Sequence, residues 1–370
     1  MKLFEYFEYS VSAFAGFMWG LPLLILLLGG GIYFSFYSRF VPFKYFRHGV
    51  KILFGKYNDP NDPGEITHFQ ALTSALASTV GLGNISGVAI AIQMGGPGAL
   101  FWMWVSAIVG MSTKFFSCTL AVLYRGKDDQ GNLQGGPMYY IENGLGEKFK
   151  PLSIMFSLAG LVGCTVMFQS NQLADIIRNQ VFMPNGWFEG NIMMGNFIQG
   201  LFMAILTALV IFGGIKRIGQ VASFMVPIMV VLYLLSGLLV IFNHITEIPS
   251  LFKLIVYDAF TGEAVMGGAV GAVIIAGVRR ALFSNEAGQG SSPIVHAAVK
   301  TNEPVREGMI AGIEPLIDTI VVCTFTALII LSTGTWDRKA DIEFDEIPTV
   351  RYENKTWSFS KIIHNEKNGK

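Results

Sequence analysis

The sequence predicts an all-α protein that crosses a lipid bilayer several times. Of its 370 residues, 52% are hydrophobic and 14% are charged, whereas a soluble domain carries about 25% charged residues. The mean hydropathy is +0.50, and apolar runs of near-spanning length recur along the chain. The formal net charge is zero, and without a clustered basic face a nucleic-acid partner is not expected.

Eight apolar runs are predicted to be membrane segments. The first follows the acidic stretch MKLFEYFEYS, so we interpret it as a retained helix rather than a signal peptide. A transmembrane domain over 1–334 would then be followed by a hydrophilic tail over 335–370. The eight runs cover approximately 17–37, 70–92, 99–123, 152–176, 196–214, 221–243, 265–298 and 309–333.

Basic residues are concentrated in alternate loops, which predicts the orientation because lysine and arginine are retained on the cytoplasmic side. The N-terminus is therefore expected outside, and the last segment is expected to run outward. The tail carries seven basic residues mixed with acidic ones, which indicates a solvated segment rather than a retention signal. The loops expected inside lie near 38–68, 125–151, 214–220 and 299–307.

The second apolar run contains a helix-poor, polar stretch at its centre, Thr79 to Asn84. Irregular backbone at membrane depth is tolerated where protein buries it or where it lines a hydrated cavity. The N–H groups around Gly81, Gly83 and Asn84 would suit the carboxylate of a zwitterionic substrate. A sodium ion beside it would prefer oxygens, for which we predict the side chains of Thr79 and Asn84 and the carbonyls of Ala77 and Val80.

A second polar, glycine-rich stretch interrupts the seventh run, from Ser284 to Pro293. Paired interruptions are expected where two repeats each contribute half of a transport site, and these two fall in the second and seventh segments, five segments apart. Carbonyls freed near Asn285, Gly288 and Gly290 would accept hydrogen bonds from an ammonium group. Further substrate contacts are predicted in the run CTVMFQSNQLAD, from Phe168, Gln169 and Asn171. Glycine-lined walls and Phe168 would favour a small amino acid, alanine or glycine.

Plainer explanations exist for several of these residues. The glycines could serve close helix packing, and Gln169 and Asn171 could bond neighbouring helices. Glu314 and Asp318, four residues apart, could form a proton relay. We favour a structural pairing of these acids with Arg279, Arg280 or Lys114.

Several blocks of the chain resemble the alanine or glycine:cation symporter family, the bacterial sodium:alanine symporters. The resemblance implies a sodium-coupled amino-acid transporter of the bacterial inner membrane, with sodium as coupling ion. It also implies a leucine-transporter-like bundle, with an extra first helix before a five-plus-five inverted repeat. The blocks are TVGLGNISGVA (79–89), GGPGALFWMWVSAIVGMSTKF (95–115), LAVLYR (120–125), GGPMYYIENGLG (135–146), RRALFSNEAGQGSSPIVHAA (279–298) and EPLIDT (314–319).

Two departures from the family pattern leave alternatives open. Family members usually continue through about three more helices, whereas this chain turns hydrophilic after Gly334, so the bundle is expected to be incomplete at the C-terminus. Ser117 stands where the family typically has glutamate. The alternative to a symporter is a non-transporting remnant or partial subunit of one, and a passive channel is less favoured. The sequence contains no HExxH or GxSxG motif of the kind that would indicate an enzyme.

Overall fold

The structure is a computed structural model, which describes residues 2–81, 83–163, 167–188, 190–261, 270–337, 350–353 and 356–359. Helices dominate the described chain, which confirms the all-α prediction. The α-helices are Lys2–Met18, Leu21–Leu24, Gly30–Tyr37, Val41–Lys44, Phe46–Leu53, His68–Thr79, Ser86–Gly95, Ala99–Leu123, Pro137–Leu145, Lys150–Gly163, Met167–Ile177, Ile192–Ile211, Gly214–Asn243, Ile248–Thr261, Val270–Asn285, Ser291–His296, Pro304–Ala311 and Thr324–Ser332.

Tighter and wider helical turns complete several of these helices. The 3₁₀ turns are Glu147–Phe149, Met183–Asn185 and Thr335–Asp337. The π-helical segments are Ile25–Gly29, Arg178–Phe182 and Leu316–Cys323. Two short antiparallel pairs of strands join Gly126–Lys127 to Leu133–Gln134 and Val350–Glu353 to Thr356–Phe359.

Five helical stretches in the described residues are long and apolar enough to cross a membrane: Tyr6–Tyr37, Ala99–Leu123, Ile192–Ile211, Gly214–Asn243 and Pro304–Ser332. They match five of the eight predicted segments, although the first begins earlier than position 17. The other three predicted segments, 70–92, 152–176 and 265–298, each hold two shorter helices. In the second of them, residues 164–166 between the two helices lie outside the described residues.

The helix Ala99–Leu123 lies at the centre of the bundle. It packs against Pro304–Ala311, Val270–Asn285, Ser291–His296 and Gly30–Tyr37. Small residues permit this close approach, because a side chain at Gly277 would overlap the backbone of Ala99. Two indole N–H groups of this helix form hydrogen bonds to neighbouring helices. Trp104 Nε1 donates to Thr324 Oγ1 at 2.7 Å, and Trp102 Nε1 donates to the Ala259 carbonyl at 3.1 Å.

At one end of the bundle, the start of His68–Thr79 is fixed by a capping box. Thr67 Oγ1 accepts a hydrogen bond from the Gln70 N–H, and the Gln70 side chain accepts one from the Thr67 N–H. Beside it, Ile66 pairs with Val299 in an isolated parallel bridge. These contacts hold the beginning of His68–Thr79 beside the end of Ser291–His296.

Candidate functional site

The first broken helix, His68–Thr79 and Ser86–Gly95, is interrupted at the predicted polar stretch. Val80 is extended, with φ −73° and ψ 112°, and Gly81 has φ +150°. A residue with a Cβ adopts such a φ only with strain, so glycine at this position makes the break inexpensive. Leu82 lies outside the described residues.

The second broken helix, Val270–Asn285 and Ser291–His296, is interrupted at residues 286–290. Gly288 and Gly290 have φ of +92° and +89°, which glycine adopts without steric cost. Glu286 has φ +52° despite its side chain. Non-glycine residues in this region are uncommon and are concentrated at functional sites and turns.

The two breaks meet in the interior of the bundle. A Cβ at Gly83 would lie 3.0 Å from the carbonyl oxygen of Phe283 and 3.3 Å from the Cα atom of Ser284. Glycine therefore lets the backbone of the first break approach the end of the second helix. Ser284 Oγ lies 3.2 Å from Asn84 Oδ1, which joins the two breaks by their side chains.

Asp318 completes this junction from a third helix. Asn84 Nδ2 donates to Asp318 Oδ1 at 2.6 Å and to the Asp318 carbonyl oxygen at 3.2 Å, and Ser284 Oγ donates to the same carboxylate. Thr319 Oγ1 donates to Asp318 Oδ2 at 3.1 Å and accepts from Asn285 Nδ2 at 3.1 Å. We call Asn84, Ser284, Asn285, Asp318 and Thr319 the junction cluster; all five residues are completely buried.

The backbone that carries Asp318 and Thr319 is itself irregular. Both residues lie in the π-helical segment Leu316–Cys323. Such widened turns are rare and are found frequently at functional sites, because they re-aim side chains and loosen the backbone hydrogen bonding.

The junction cluster is rich in oxygen atoms and carries a carboxylate without a basic partner. No described lysine, arginine or histidine lies within ion-pair distance of Asp318. A buried carboxylate is costly unless it is paired or binds a cation. Carboxylate, hydroxyl and amide oxygens are the donors that hard cations prefer, so the cluster has the chemistry of a cation site.

The structure brings together only part of the predicted site. Gly83, Asn84 and Asn285 lie at the junction of the two breaks, with Gly81 in the first break and Gly288 and Gly290 in the second. Among the predicted sodium ligands, Thr79 is buried and its hydroxyl donates to the Leu76 carbonyl at 3.3 Å. Ala77 is exposed and Val80 is half-buried.

Gln169 and Asn171, predicted on Met167–Ile177, do not join the junction cluster. Gln169 and Asn171 are exposed on that helix, and the helix packs against Ile192–Ile211. The side chain of Phe168 lies outside the described residues. Substrate contacts by these three residues therefore stay a prediction.

Sequence reasoning missed three members of the junction cluster, namely Ser284, Asp318 and Thr319. An acid inside the apolar run IEPLIDTIVV was the available signal, and we interpreted it as part of a structural pair. That interpretation holds for Glu314, whose Oε2 lies 2.5 Å from Lys114 Nζ. It fails for Asp318, which faces the helix breaks instead. The other proposed partner, Arg279, donates to the carbonyl of Trp19.

Broken helices that meet at a buried polar cluster, inside a bundle of membrane-length helices, define a multi-pass membrane transporter. Comparison with known proteins identifies which transporter family this is. The family model of the sodium:alanine symporter family matches residues 4–351. The chain belongs to that family, whose members are sodium-coupled amino-acid transporters.

Curated relatives from several organisms agree with this assignment. The chain is 42% identical over 329 residues to the sodium/alanine symporter AgcS of Methanococcus maripaludis, a match that covers 88% of this chain and 70% of the relative. It is 41% identical over 338 residues to an uncharacterized transporter of Haemophilus influenzae, covering 89% and 71%. It is 38% identical over 329 residues to the probable sodium/glutamine symporter GlnT of Bacillus subtilis, covering 89% and 66%.

Proposed function

We propose that this chain is a non-enzymatic symporter that couples the entry of sodium ions to the uptake of a small neutral amino acid, alanine or glycine. The observation that carries the proposal is the junction cluster, where two broken helices meet a buried carboxylate that lacks a basic partner. A bacterial inner membrane location with the N-terminus outside follows from the distribution of basic loops.

The coupling ion would bind at the junction cluster. Asp318 supplies the negative charge, and Asn84 Oδ1 and the Thr319 hydroxyl supply neutral oxygens. Carbonyls of Ala77 and Val80 and the Thr79 hydroxyl remain the proposed additional ligands from the first broken helix. Sodium at this position would neutralise a charge that is otherwise expensive to bury.

The amino acid would bind next to the ion, between the two breaks. Backbone N–H groups at Gly81 and Gly83 suit its carboxylate, whereas the predicted contact from the Asn84 N–H is not available because that group donates to the Gly81 carbonyl at 3.2 Å. Carbonyl groups freed in the break from Asn285 to Gly290 suit its ammonium group. Phe168, Gln169 and Asn171 are proposed to close the pocket from Met167–Ile177.

The proposed coupling is energetically sufficient without ATP. Moving one elementary charge through 100 mV is worth about 2.3 kcal/mol, which corresponds to roughly fortyfold accumulation per sodium ion. The relatives differ in the size of the amino acid in their names, since one is named for alanine and another for glutamine.

Uptake into proteoliposomes tests the proposal. We expect the purified 370-residue chain to accumulate labelled alanine or glycine, but little glutamine, when sodium is present outside and not when potassium replaces it. Saturation and counterflow with unlabelled substrate would distinguish a carrier from a passive channel. Absence of uptake by inserted, monodisperse protein would contradict the proposal and favour a non-transporting remnant or subunit.

Matched substitutions test the site itself. Asn84→Ala and Asp318→Asn should each reduce the apparent sodium affinity by roughly 10- to 100-fold, because they remove oxygen ligands or charge from the junction cluster. Asn61→Ala and Asp129→Asn change the same residue types at exposed positions and should leave uptake unchanged. Equal effects at the buried and exposed sites would exclude the junction cluster as the sodium site.

A further inference from the structure

A second group of buried titratable side chains lies apart from the junction cluster. It connects the two broken helices to Ala99–Leu123 and to the helical stretch Pro304–Ser332, near the loop ends that carry the Ile66–Val299 bridge. We call it the charged cluster. Its members are His68, Lys114, His296, Glu307 and Glu314, and none is more than 1% exposed.

Glu307 is shared by the two histidines. The Nδ1 atom of His68 hydrogen-bonds to one of its carboxylate oxygens and the Nδ1 atom of His296 to the other. Because an ionised carboxylate only accepts hydrogen bonds, each Nδ1 atom must carry a hydrogen. The tautomer of both rings is thereby fixed on the side that faces Glu307.

The opposite side of the His296 ring faces a second carboxylate. Its Nε2 atom lies 3.8 Å from Glu314 Oε2, and that oxygen also lies 2.5 Å from Lys114 Nζ and accepts from Ser292 Oγ at 3.1 Å. In a neutral ring with its hydrogen on Nδ1, a lone pair on Nε2 would point toward an anionic oxygen. A proton on Nε2 converts this repulsion into attraction.

Unsatisfied polar atoms occur at the same place. In the charged cluster, Lys114 Nζ, His296 Nε2 and Glu314 Oε1 are buried and lack a hydrogen-bond partner, although Lys114 Nζ lies within ion-pair distance of Glu314 Oε2. Buried polar atoms are nearly always satisfied in folded proteins. A protonated Nε2 would need only a small approach to Glu314 Oε2 to gain a hydrogen-bond acceptor.

The charge balance leads to the same proton. Two carboxylates and one ammonium group leave the charged cluster with one excess negative charge if both histidines are neutral. One excess charge in a site that excludes water is expensive. A single added proton makes the cluster neutral.

Other charged or titratable groups lie around the cluster. Arg125 is half-buried and uses its guanidinium group on the carbonyls of Ala297, Val299, Pro63 and Thr301; it is attracted to Asp62 first and to Glu307 second. Cys118 is a buried thiol on the same helix as Lys114. Asp318 belongs to the junction cluster, where its carboxylate accepts hydrogen bonds from Asn84, Ser284 and Thr319.

We propose that His296 is a proton-binding site, in which an imidazolium ion held between Glu307 and Glu314 neutralises the charged cluster. With the proton bound, the start of the first broken helix, at His68, is linked through Glu307 to the end of the second, at His296. Protonation of this site stabilises the packed arrangement of that end of the bundle. The site stands independently of the proposed symport, whereas any effect of its proton on transport rests on that function.

Histidine-selective ¹⁵N NMR of the full chain in lipid nanodiscs tests the proposal. The chain has five histidines, and His296→Gln identifies the signals of His296. At pH 7.5 both ring nitrogens of His296 should carry hydrogens. A neutral His296 ring in the unmodified protein would overturn the proposal.

Two variants separate a proton site from a merely structural histidine. In Glu307→Gln, Glu314 and Lys114 balance each other, so His296 should lose its extra proton and become neutral. In His68→Gln both carboxylates and the lysine remain, so His296 should stay cationic. A cationic His296 in Glu307→Gln, or a neutral one in His68→Gln, would contradict the charge balance.

The NMR measurement still tests the proton site in two further cases. If Glu307→Gln does not fold, the spectrum of the unmodified protein and that of His68→Gln still establish or exclude the imidazolium ion. If the proteoliposomes show no uptake while His296 is cationic, the proton site stands and the proposed symport fails.

Discussion

Two helices of membrane length, Ala99–Leu123 and Gly214–Asn243, look alike in the sequence but have different surroundings. In the most apolar stretch of the first, 56% of the residues are buried by protein, compared with 11% in the second. The first carries Lys114, fully buried against Glu314; the second presents exposed side chains such as Leu232 and Leu239. Hydropathy thus shows that both helices avoid water, but not whether protein or lipid surrounds them.

The largest expected difference between the two regions concerns charge. Lys114→Met should destabilise the protein by about 3–5 kcal/mol, because removing the ammonium group leaves the charged cluster with an uncompensated buried negative charge. The measurement is the free energy of unfolding in detergent micelles. Lys253→Met makes the same change at an exposed position and should have little effect; equal losses at the two lysines would contradict the contrast.

Apolar truncation should follow the same contrast with a smaller effect. Leu100 is completely buried in the central core, so Leu100→Ala should cost about 2–5 kcal/mol through lost contacts and a cavity. Leu232 is 62% exposed, and Leu232→Ala should change stability by less than about 0.5 kcal/mol. Thermal unfolding of both variants in the same detergent measures the difference, and similar losses would show that the second helix is also buried by protein.

The helix cap at Thr67 should contribute less than the buried core. Thr67→Ala removes the hydroxyl that accepts from the Gln70 N–H and should cost about 1 kcal/mol. Thr67→Ser keeps the cap and serves as the control. Hydrogen exchange of the first turn of His68–Thr79 reports the loss directly, and unchanged protection in Thr67→Ala would show that the capping box is not needed.

The smallest expected effect comes from a hydrogen bond that links the two kinds of region. The hydroxyl oxygen of Tyr233, on the exposed helix Gly214–Asn243, lies 2.6 Å from Thr326 Oγ1 on Thr324–Ser332. Interhelical hydrogen bonds of this kind average about 0.6 kcal/mol in membrane proteins, so Tyr233→Phe should lower the free energy of unfolding by about that amount. Tyr257→Phe, at an exposed position, is the control; a cost several times larger would mean that this contact is part of the core.

The helix breaks illustrate what could be predicted from the sequence. Gly81, Gly288 and Gly290 occupy backbone conformations that only glycine adopts without strain, so their local effect is visible without the rest of the fold. Polar residues at membrane depth, such as Asn84 and Asn285, indicated a buried site for the same reason. These positions were found because each depends on its own neighbourhood in the chain.

The partners of those residues could not be predicted in the same way. Asp318 lies 234 residues from Asn84 in the chain, and the sequence did not distinguish its role from that of Glu314, four residues before it. The hydrogen-bond partners alone separate the two acids, since one meets the helix breaks and the other meets Lys114. Gln169 and Asn171 show the converse, because polar residues in an apolar run lie on an exposed helix face.

The sequence by itself determined the all-α membrane class, the family and the positions of both helix breaks, because composition, segment length and glycine content act locally. Only the tertiary structure decided which polar groups share a buried site. It placed Asp318 at the junction of the breaks, and it placed His296 between Glu307 and Glu314. The physical reason is that a buried charge is tolerated only with partners, and packing brings those partners from distant parts of the chain.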